Sequence, residues 1–242
     1  MLILEIIVAV AILTVSCVLE FQPIEPKYIY QETLYMSAPK RRELIPSYGL
    51  LAIIIIVPII LLLIVWLYLL KGSQSIKWYF EAISYLVITV SLAGLLCSCI
   101  HLLIGTPRPD SIVQCGTVNV TYAVCSQVLS KYQTSQQFKS FPSFEAAICM
   151  AAAVSLLTFF EMPSTFSPFV EMIIKMIPMT WALLVSTIEI AMSCYRIQDT
   201  IAGAFIGFIV GMITSNAFTK SMNSNPDSEF TDSSKALSAK IY

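Results

Sequence analysis

One arginine stands between two prolines where a long apolar run ends, in the segment HLLIGTPRPD at residues 101–110. The guanidinium of Arg108 presents five N–H donors in a planar fork that fits phosphate oxygens. Pro107 and Pro109 restrict the backbone on both sides, because each ring fixes its own φ. The pattern indicates either a phosphate ligand or an interfacial arginine whose side chain reaches lipid headgroups.

The composition is that of a membrane protein. Of the 242 residues, 57% are hydrophobic and only 12% are charged, and the net charge is −1. Soluble domains carry about a quarter charged residues, so we expect an integral membrane protein. Long unbroken apolar runs cross a bilayer as α-helices, which satisfy their backbone hydrogen bonds internally. The one basic cluster, at residues 40–42, is too small to indicate nucleic acid binding.

Six apolar segments predict six transmembrane helices. They comprise residues 2–19, 49–70, 78–104, 143–160, 168–192 and 201–218. We therefore predict an all-α integral membrane protein with a six-helix bundle over residues 1–219 and a motif core at 101–203. Residues 220–242 are rich in Ser, Asn and Asp and are predicted to be a disordered polar tail.

Small and charged residues within these helices carry further predictions. Glycines on one face of the last helix and alanines in the fourth predict close helix packing; the glycines are Gly203, Gly207 and Gly211. Glu171 and Lys175 are four residues apart and can pair on one helix face. Charges inside a membrane are functional candidates, so a small transporter or channel-like bundle is one hypothesis; it rests on Glu81, Glu171, Lys175 and Glu189.

Six crossings place three polar loops, at residues 20–46, 105–142 and 193–200, on one side of the membrane. Arg108, the start of the fourth helix at Ser143, and Arg196 should then meet at one surface. Two guanidiniums facing a helix N-terminus make an anion site, because the first N–H groups of a helix lack partners within it. Asp199 could orient one arginine or cap the sixth helix.

Three signals predict the side of the membrane that these loops face, and they disagree. Cys115 and Cys125 share the long loop and could form a disulfide only outside the cytosol. The sequon at Asn119 is a glycosylation acceptor only in a secreted or lumenal loop. The excess of Lys and Arg on the loop side predicts the cytosolic side instead. We favour the lumenal or extracellular side.

The motif order resembles the type 2 phosphatidic acid phosphatase family, the lipid phosphate phosphatases, and most nearly their phosphatidate and diacylglycerol pyrophosphate phosphatase branch. The family motifs are K-x6-R-P, P-S-G-H and S-R-x5-H-x3-D. HLLIGTPRPD matches the first, with His101 at the lysine position. SFPSFEAA matches the second, with Phe144 for the glycine and Glu145 for the histidine.

The third motif is shortened. In SCYRIQDTIAG, Ser193, Asp199 and Gly203 can be aligned with it, and Arg196 stands either at the motif arginine or just before a lost segment. The resemblance covers about residues 20–215 and implies the six-helix bundle of the phosphatase and haloperoxidase type. It also implies phosphatidic acid or a related lipid phosphate as substrate, phospholipid metabolism, the endoplasmic reticulum or plasma membrane, and no metal or other cofactor.

In the family, one histidine attacks phosphorus and a second protonates the leaving group. The phosphate is held by positions that correspond here to His101, Arg108, Ser143, Phe144 and Arg196. Glu145 and Asp199 occupy positions of the catalytic machinery, but His101 is the only histidine of the chain. Without a nucleophile and a general acid, the family reaction cannot run as written.

The resemblance therefore predicts a phosphatase-like protein with impaired catalysis. The alternatives left open are an unusual chemistry, a missing segment in the third motif, and a non-catalytic membrane protein that binds anionic lipids or acts as a scaffold. Assembly with a second copy is also left open.

Overall fold

The computed structural model describes residues 2–23, 47–69, 76–117, 120–160 and 167–224. The predicted loop beyond residue 23, the sequon residue Asn119 and the tail beyond residue 224 lie outside these ranges. Within them every regular element is a helix, as the sequence predicts.

The long helices follow the predicted apolar segments. They are α1 (Leu2–Phe21), α2 (Ser47–Ile64), which continues into a π-helical turn (Val65–Leu69), α3 (Ile76–Ile104), α7 (Phe144–Phe159), α8 (Pro168–Ala191) and α9 (Ile197–Ser224). The polar loop between α3 and α7 forms three short helices, α4 (Ser111–Cys115), α5 (Tyr122–Val128) and α6 (Lys131–Gln136).

Three helical stretches of the described chain are long and apolar enough to cross a membrane: Trp78–Ile104, Pro168–Ala191 and Ile197–Ser221. Three shorter apolar stretches are Ile7–Glu20, Ala52–Leu67 and Phe144–Phe159. This pattern fits an integral membrane protein.

Helix α7 forms the centre of the fold, because α3, α8 and α9 all pack against it. Its alanines are fully buried, and the predicted glycine seam of α9 lies directly on them. A Cβ atom on Gly207 would lie 2.1 Å from the carbonyl oxygen of Ala147, and one on Gly211 would lie 2.7 Å from Cβ of Val154. The prediction of close packing along this face is confirmed.

Helix α9 is longer than predicted, and the predicted ion pair on α8 is present. Helix α9 continues through residues 220–224, so the first five residues of the predicted tail are helical. Thr219 contributes to this end, since its Oγ1 donates to the carbonyl oxygen of Ser215 at 3.1 Å. On α8, Lys175 Nζ lies 2.5 Å from Glu171 Oε1, and this ion pair balances two charges that motivated the transporter hypothesis.

A disulfide joins Cys115 at the end of α4 to Cys125 in α5. Phe138 packs on it in a small apolar cluster, so the disulfide anchors the loop that precedes α7. The loop begins with Gly105, which adopts a left-handed φ of 63° and donates its N–H to the carbonyl oxygen of His101 at 3.0 Å. Glycine adopts this conformation without steric cost, so it ends α3 at this point.

We expect reduction of this disulfide to loosen the loop. The bonded cysteines are 10 residues apart, and closing a loop of this length stabilises the folded state by about 2–3 kcal/mol. Hydrogen–deuterium exchange in detergent should therefore accelerate at residues 111–138 after dithiothreitol, and the variant C115S/C125S should show the same fast exchange without it. Replacement of the free Cys99 by serine is the control, because this variant keeps the disulfide. Unchanged exchange of the wild-type loop under reduction would contradict this prediction.

Candidate functional site

Backbone hydrogen bonds join the first and second sequence motifs. Thr106 accepts a hydrogen bond at its carbonyl oxygen from Ser140 N (3.1 Å) and another at its Oγ1 from Phe141 N (2.8 Å). The N–H of Arg108 donates to the carbonyl oxygen of Gln137 at 2.8 Å. The segment around Arg108 is therefore fixed against the segment that leads into α7.

The third segment is joined to the second through Asp199 in the first turn of α9. Its carbonyl oxygen accepts from Ser143 N at 2.9 Å, and its Oδ2 accepts from Ser140 Oγ at 2.5 Å and from Arg196 N at 3.4 Å. The structure thus brings the three motif segments together, and Asp199 both caps α9 and holds residues 140–143. The Asp199 carboxylate therefore orients the backbone N–H of Arg196 and the side chain of Ser140.

Arg108 is linked to Glu145 through a tyrosine that the sequence analysis did not single out. Its Nη2 donates to Tyr195 Oη at 3.2 Å, its guanidinium carbon lies 5.1 Å from the centre of the Tyr195 ring, and Tyr195 Oη donates to Glu145 Oε2 at 2.6 Å. Tyr195 directly precedes Arg196 in the short polar link. That position is the only feature of the sequence that indicates a place for Tyr195 in the site.

Burial and neighbouring groups shift the pKa values of Arg108, Tyr195 and Cys194. Burial of Arg108 acts to lower its pKa, but Tyr195 and Glu145 beside it outweigh burial and hold the pKa above its ordinary value. Burial, reinforced by Glu145, raises the pKa of Tyr195. Burial also raises the pKa of the Cys194 thiol to about 11, so Cys194 is a poor candidate for a nucleophile, because the thiolate is the reactive form.

Ser143 begins α7 and is fully buried. Its Oγ accepts from Ala146 N at 3.1 Å as the helix cap, and donates to Glu189 Oε2 of α8 at 3.0 Å. Glu189 is 1% exposed, and within the described residues its Oε1 has no hydrogen-bond partner. Glu189 is one of the intramembrane charges evident in the sequence, and it lies directly beside Ser143, the predicted phosphate ligand.

Both ring nitrogens of His101 contact other residues, one in the second motif and one in α1. Its side chain is 1% exposed, Nε2 donates to the carbonyl oxygen of Pro142 (2.8 Å), and Nδ1 lies 3.3 Å from Glu20 Oε2 of α1. Ser98 Oγ donates to the same carboxylate oxygen at 3.0 Å. Lys139 lies 3.5 Å from Glu20 Oε1 and donates to the Glu20 carbonyl oxygen. His101 therefore ties α1 to the second motif, and the phosphate contact assigned to it stays a prediction.

The remaining predicted phosphate ligands lie at the start of α7 and before α9. Phe144 is half-buried and its ring lies against Gly94 of α3, where a Cβ atom would approach the ring to 3.1 Å. Arg196 lies beside Asp199, to which its backbone N–H donates. Among the described residues no group of three or more His, Cys, Asp or Glu side chains could hold a metal ion.

Comparison with known proteins gives one match. A family model described as the PAP2 superfamily matches residues 82–223, from α3 to the end of α9. No curated protein and no solved structure matches the chain.

Proposed function

The chain belongs to the PAP2 superfamily, and on this premise we propose that it binds the phosphate group of an anionic membrane lipid and hydrolyses it poorly. Membership of the superfamily suggests phosphatase-type activity. The lipid that we propose is phosphatidic acid or a related lipid phosphate, as in the phosphatidate and diacylglycerol pyrophosphate phosphatase branch.

One observation carries the proposal: three separate segments are hydrogen-bonded to one another around Arg108. Thr106, Ser140, Ser143 and Asp199 make the connecting hydrogen bonds. A guanidinium next to a helix N-terminus is a suitable anion site, because both supply N–H donors to phosphate oxygens. We propose Arg108, Ser143, the Phe144 N–H and Arg196 as the ligands of the phosphate, with His101 in contact with the carbonyl oxygen of Pro142 just before Ser143.

The absence of suitable imidazoles supports poor hydrolysis. His101 is the only histidine in the chain, and its ring nitrogens contact Pro142 and Glu20. Glu145 stands where the family has its general acid, and no histidine accompanies Asp199. A Ser or Cys could attack phosphorus only with a base to activate it.

The proposed setting is a membrane crossed by all six long helices, with the motif loops on the lumenal or extracellular side of the endoplasmic reticulum or plasma membrane. The Cys115–Cys125 disulfide supports that side, because disulfides persist in oxidising compartments. Glycosylation of Asn119 would follow from the same orientation.

We expect the purified protein to release very little inorganic phosphate from dioctanoyl phosphatidic acid in detergent micelles. General acid–base catalysis alone contributes about 10²–10⁴-fold to rate, so turnover should fall at least that far below an active family member assayed alongside. The assay needs a malachite green readout and the variant R108A as a background control. Rapid phosphate release that disappears in R108A would contradict the proposal of impaired catalysis.

A further inference from the structure

Two side chains proposed to hold phosphate are hydrogen-bonded to acidic side chains of the protein itself, Ser143 directly and Arg108 through Tyr195. Arg108 donates to Tyr195, which donates to Glu145. Ser143 donates to Glu189. The two carboxylates come from different helices, α7 and α8, so two independent contacts give the same arrangement.

We propose that Glu145 and Glu189 are internal occupants of the anion site, and that a bound phosphate must compete with them for Ser143 and Arg108. This inference rests on the proposed function and deepens it, because it identifies the residues that set the affinity of the site. The Glu189 carboxyl group takes the place of a phosphate oxygen at Ser143, and Glu145 holds the tyrosine hydroxyl group to which Arg108 donates.

The arginine has donor capacity beyond its contact with Tyr195. Within the described residues, Arg108 Nε is buried and has no hydrogen-bond partner. A guanidinium normally binds phosphate through two parallel N–H bonds. Here one terminal nitrogen donates to Tyr195, so a phosphate bound through that nitrogen must displace the Tyr195 hydroxyl group, which Glu145 holds in place.

The hydrogen bonding of Glu189 is incomplete for a buried side chain with a purely structural role. One oxygen accepts from Ser143, and the other is buried and lacks a donor within the described residues. A buried acceptor without a donor lowers stability. Its position beside Ser143 fits a role in limiting anion binding, because a phosphate oxygen can accept from Ser143 Oγ only after the bond to Glu189 opens.

The test measures binding of two probes to the intact chain in detergent micelles by isothermal titration calorimetry. Dioctanoyl phosphatidic acid carries the phosphate on a lipid, and inorganic phosphate carries it alone; dioctanoylglycerol is the uncharged control. Glu145→Gln and Glu189→Gln each replace a carboxyl group by a neutral amide at nearly constant volume. Glu171→Gln is the matched control, since Glu171 lies at the other end of α8 and pairs with Lys175.

We expect Glu145→Gln to tighten binding of phosphatidic acid and of inorganic phosphate by at least about tenfold, because it removes a negative charge that is linked to Arg108 through Tyr195. Glu189→Gln should tighten both in the same direction, and it provides the test if Glu145→Gln does not fold. Glu171→Gln should leave both affinities unchanged. Addition of Arg108→Ala to Glu145→Gln should abolish the gain.

Three outcomes would overturn the inference. If the wild type binds phosphatidic acid and both glutamine variants bind equally or more weakly, the carboxylates do not compete, while the proposed function stands. If tightening is confined to the lipid and absent for inorganic phosphate, the effect does not lie at the phosphate. If the wild type and both variants fail to bind either probe, the proposed function falls, and the inference falls with it.

Discussion

Replacement of Arg108 by alanine is expected to weaken binding of phosphatidic acid by about 100-fold or more. Hydrogen bonds to a charged group contribute about 1.5–3 kcal/mol each, and the planar guanidinium can make two of them to one phosphate. A loss of about 3 kcal/mol corresponds to a factor of about 100 in the dissociation constant. Calorimetric titration with dioctanoyl phosphatidic acid in micelles measures this change.

The matched control is Lys175→Ala. Lys175 also carries a positive charge, but it lies on α8 and pairs with Glu171. If the affinity depended only on net charge, both variants would weaken binding equally, and that result would contradict a specific site at Arg108. Arg108→Lys adds a second comparison, because an ammonium keeps the charge and loses the planar fork; we expect it to recover only part of the affinity.

Replacement of Gly203 by alanine is expected to damage both the stability of the bundle and the site. A Cβ atom on Gly203 would lie 2.2 Å from the carbonyl oxygen of Ser143 and 3.2 Å from its nitrogen. Backbone atoms cannot rotate away as a side chain can, so α9 must move from α7 and displace Ser143. Overpacking of this kind costs about 1–3 kcal/mol and occasionally more; we expect the upper end of that range.

Thermal unfolding in detergent and the same lipid titration should both record this loss. Gly94→Ala is the control, because its Cβ would meet Ser16 Oγ at 3.0 Å and the Phe144 ring at 3.1 Å, which are side-chain atoms that can shift. We expect a smaller decrease in its unfolding temperature. Equal unfolding temperatures for Gly203→Ala and the wild type would show that α7 and α9 are less closely packed than described.

The long helices could be predicted from the sequence because their signal is local. Five of the six predicted apolar segments end within two residues of the observed helices, whereas α9 extends beyond its predicted segment at both ends. The seam of α9 was also predictable, since glycines at every fourth residue must share a face. The sequence also predicts that the fourth helix begins at Ser143. In the structure Ser143 is the N-cap residue of α7, because its side chain accepts from the backbone N–H of Ala146.

The partners within the site were not predictable, because they come from distant parts of the chain. Nothing near Tyr195 in the sequence indicates that its hydroxyl group joins Arg108 to Glu145. Similarly, Glu20 lies outside the region matched by the family model, yet its carboxylate contacts His101 and Lys139. Only the packing of α1 against α3 brings these groups together.

His101 illustrates the limit of motif alignment. Its position corresponds to a lysine that holds phosphate in the family, and the alignment alone carries that role over. In the structure the ring is buried between Glu20 and Pro142. The alignment and the observed contacts therefore assign the ring different roles, and the phosphate contact of His101 stays a prediction.

The most direct test of the central claim is a phosphorus NMR spectrum of the protein with dioctanoyl phosphatidic acid, recorded over a day in micelles. A single experiment then reports both binding and hydrolysis. We predict a shifted or broadened phosphomonoester resonance in the wild type, absent in Arg108→Ala, with no growth of an inorganic phosphate signal. An inorganic phosphate signal that grows in the wild type and not in Arg108→Ala, or a lipid resonance unaffected by the protein, would contradict the account.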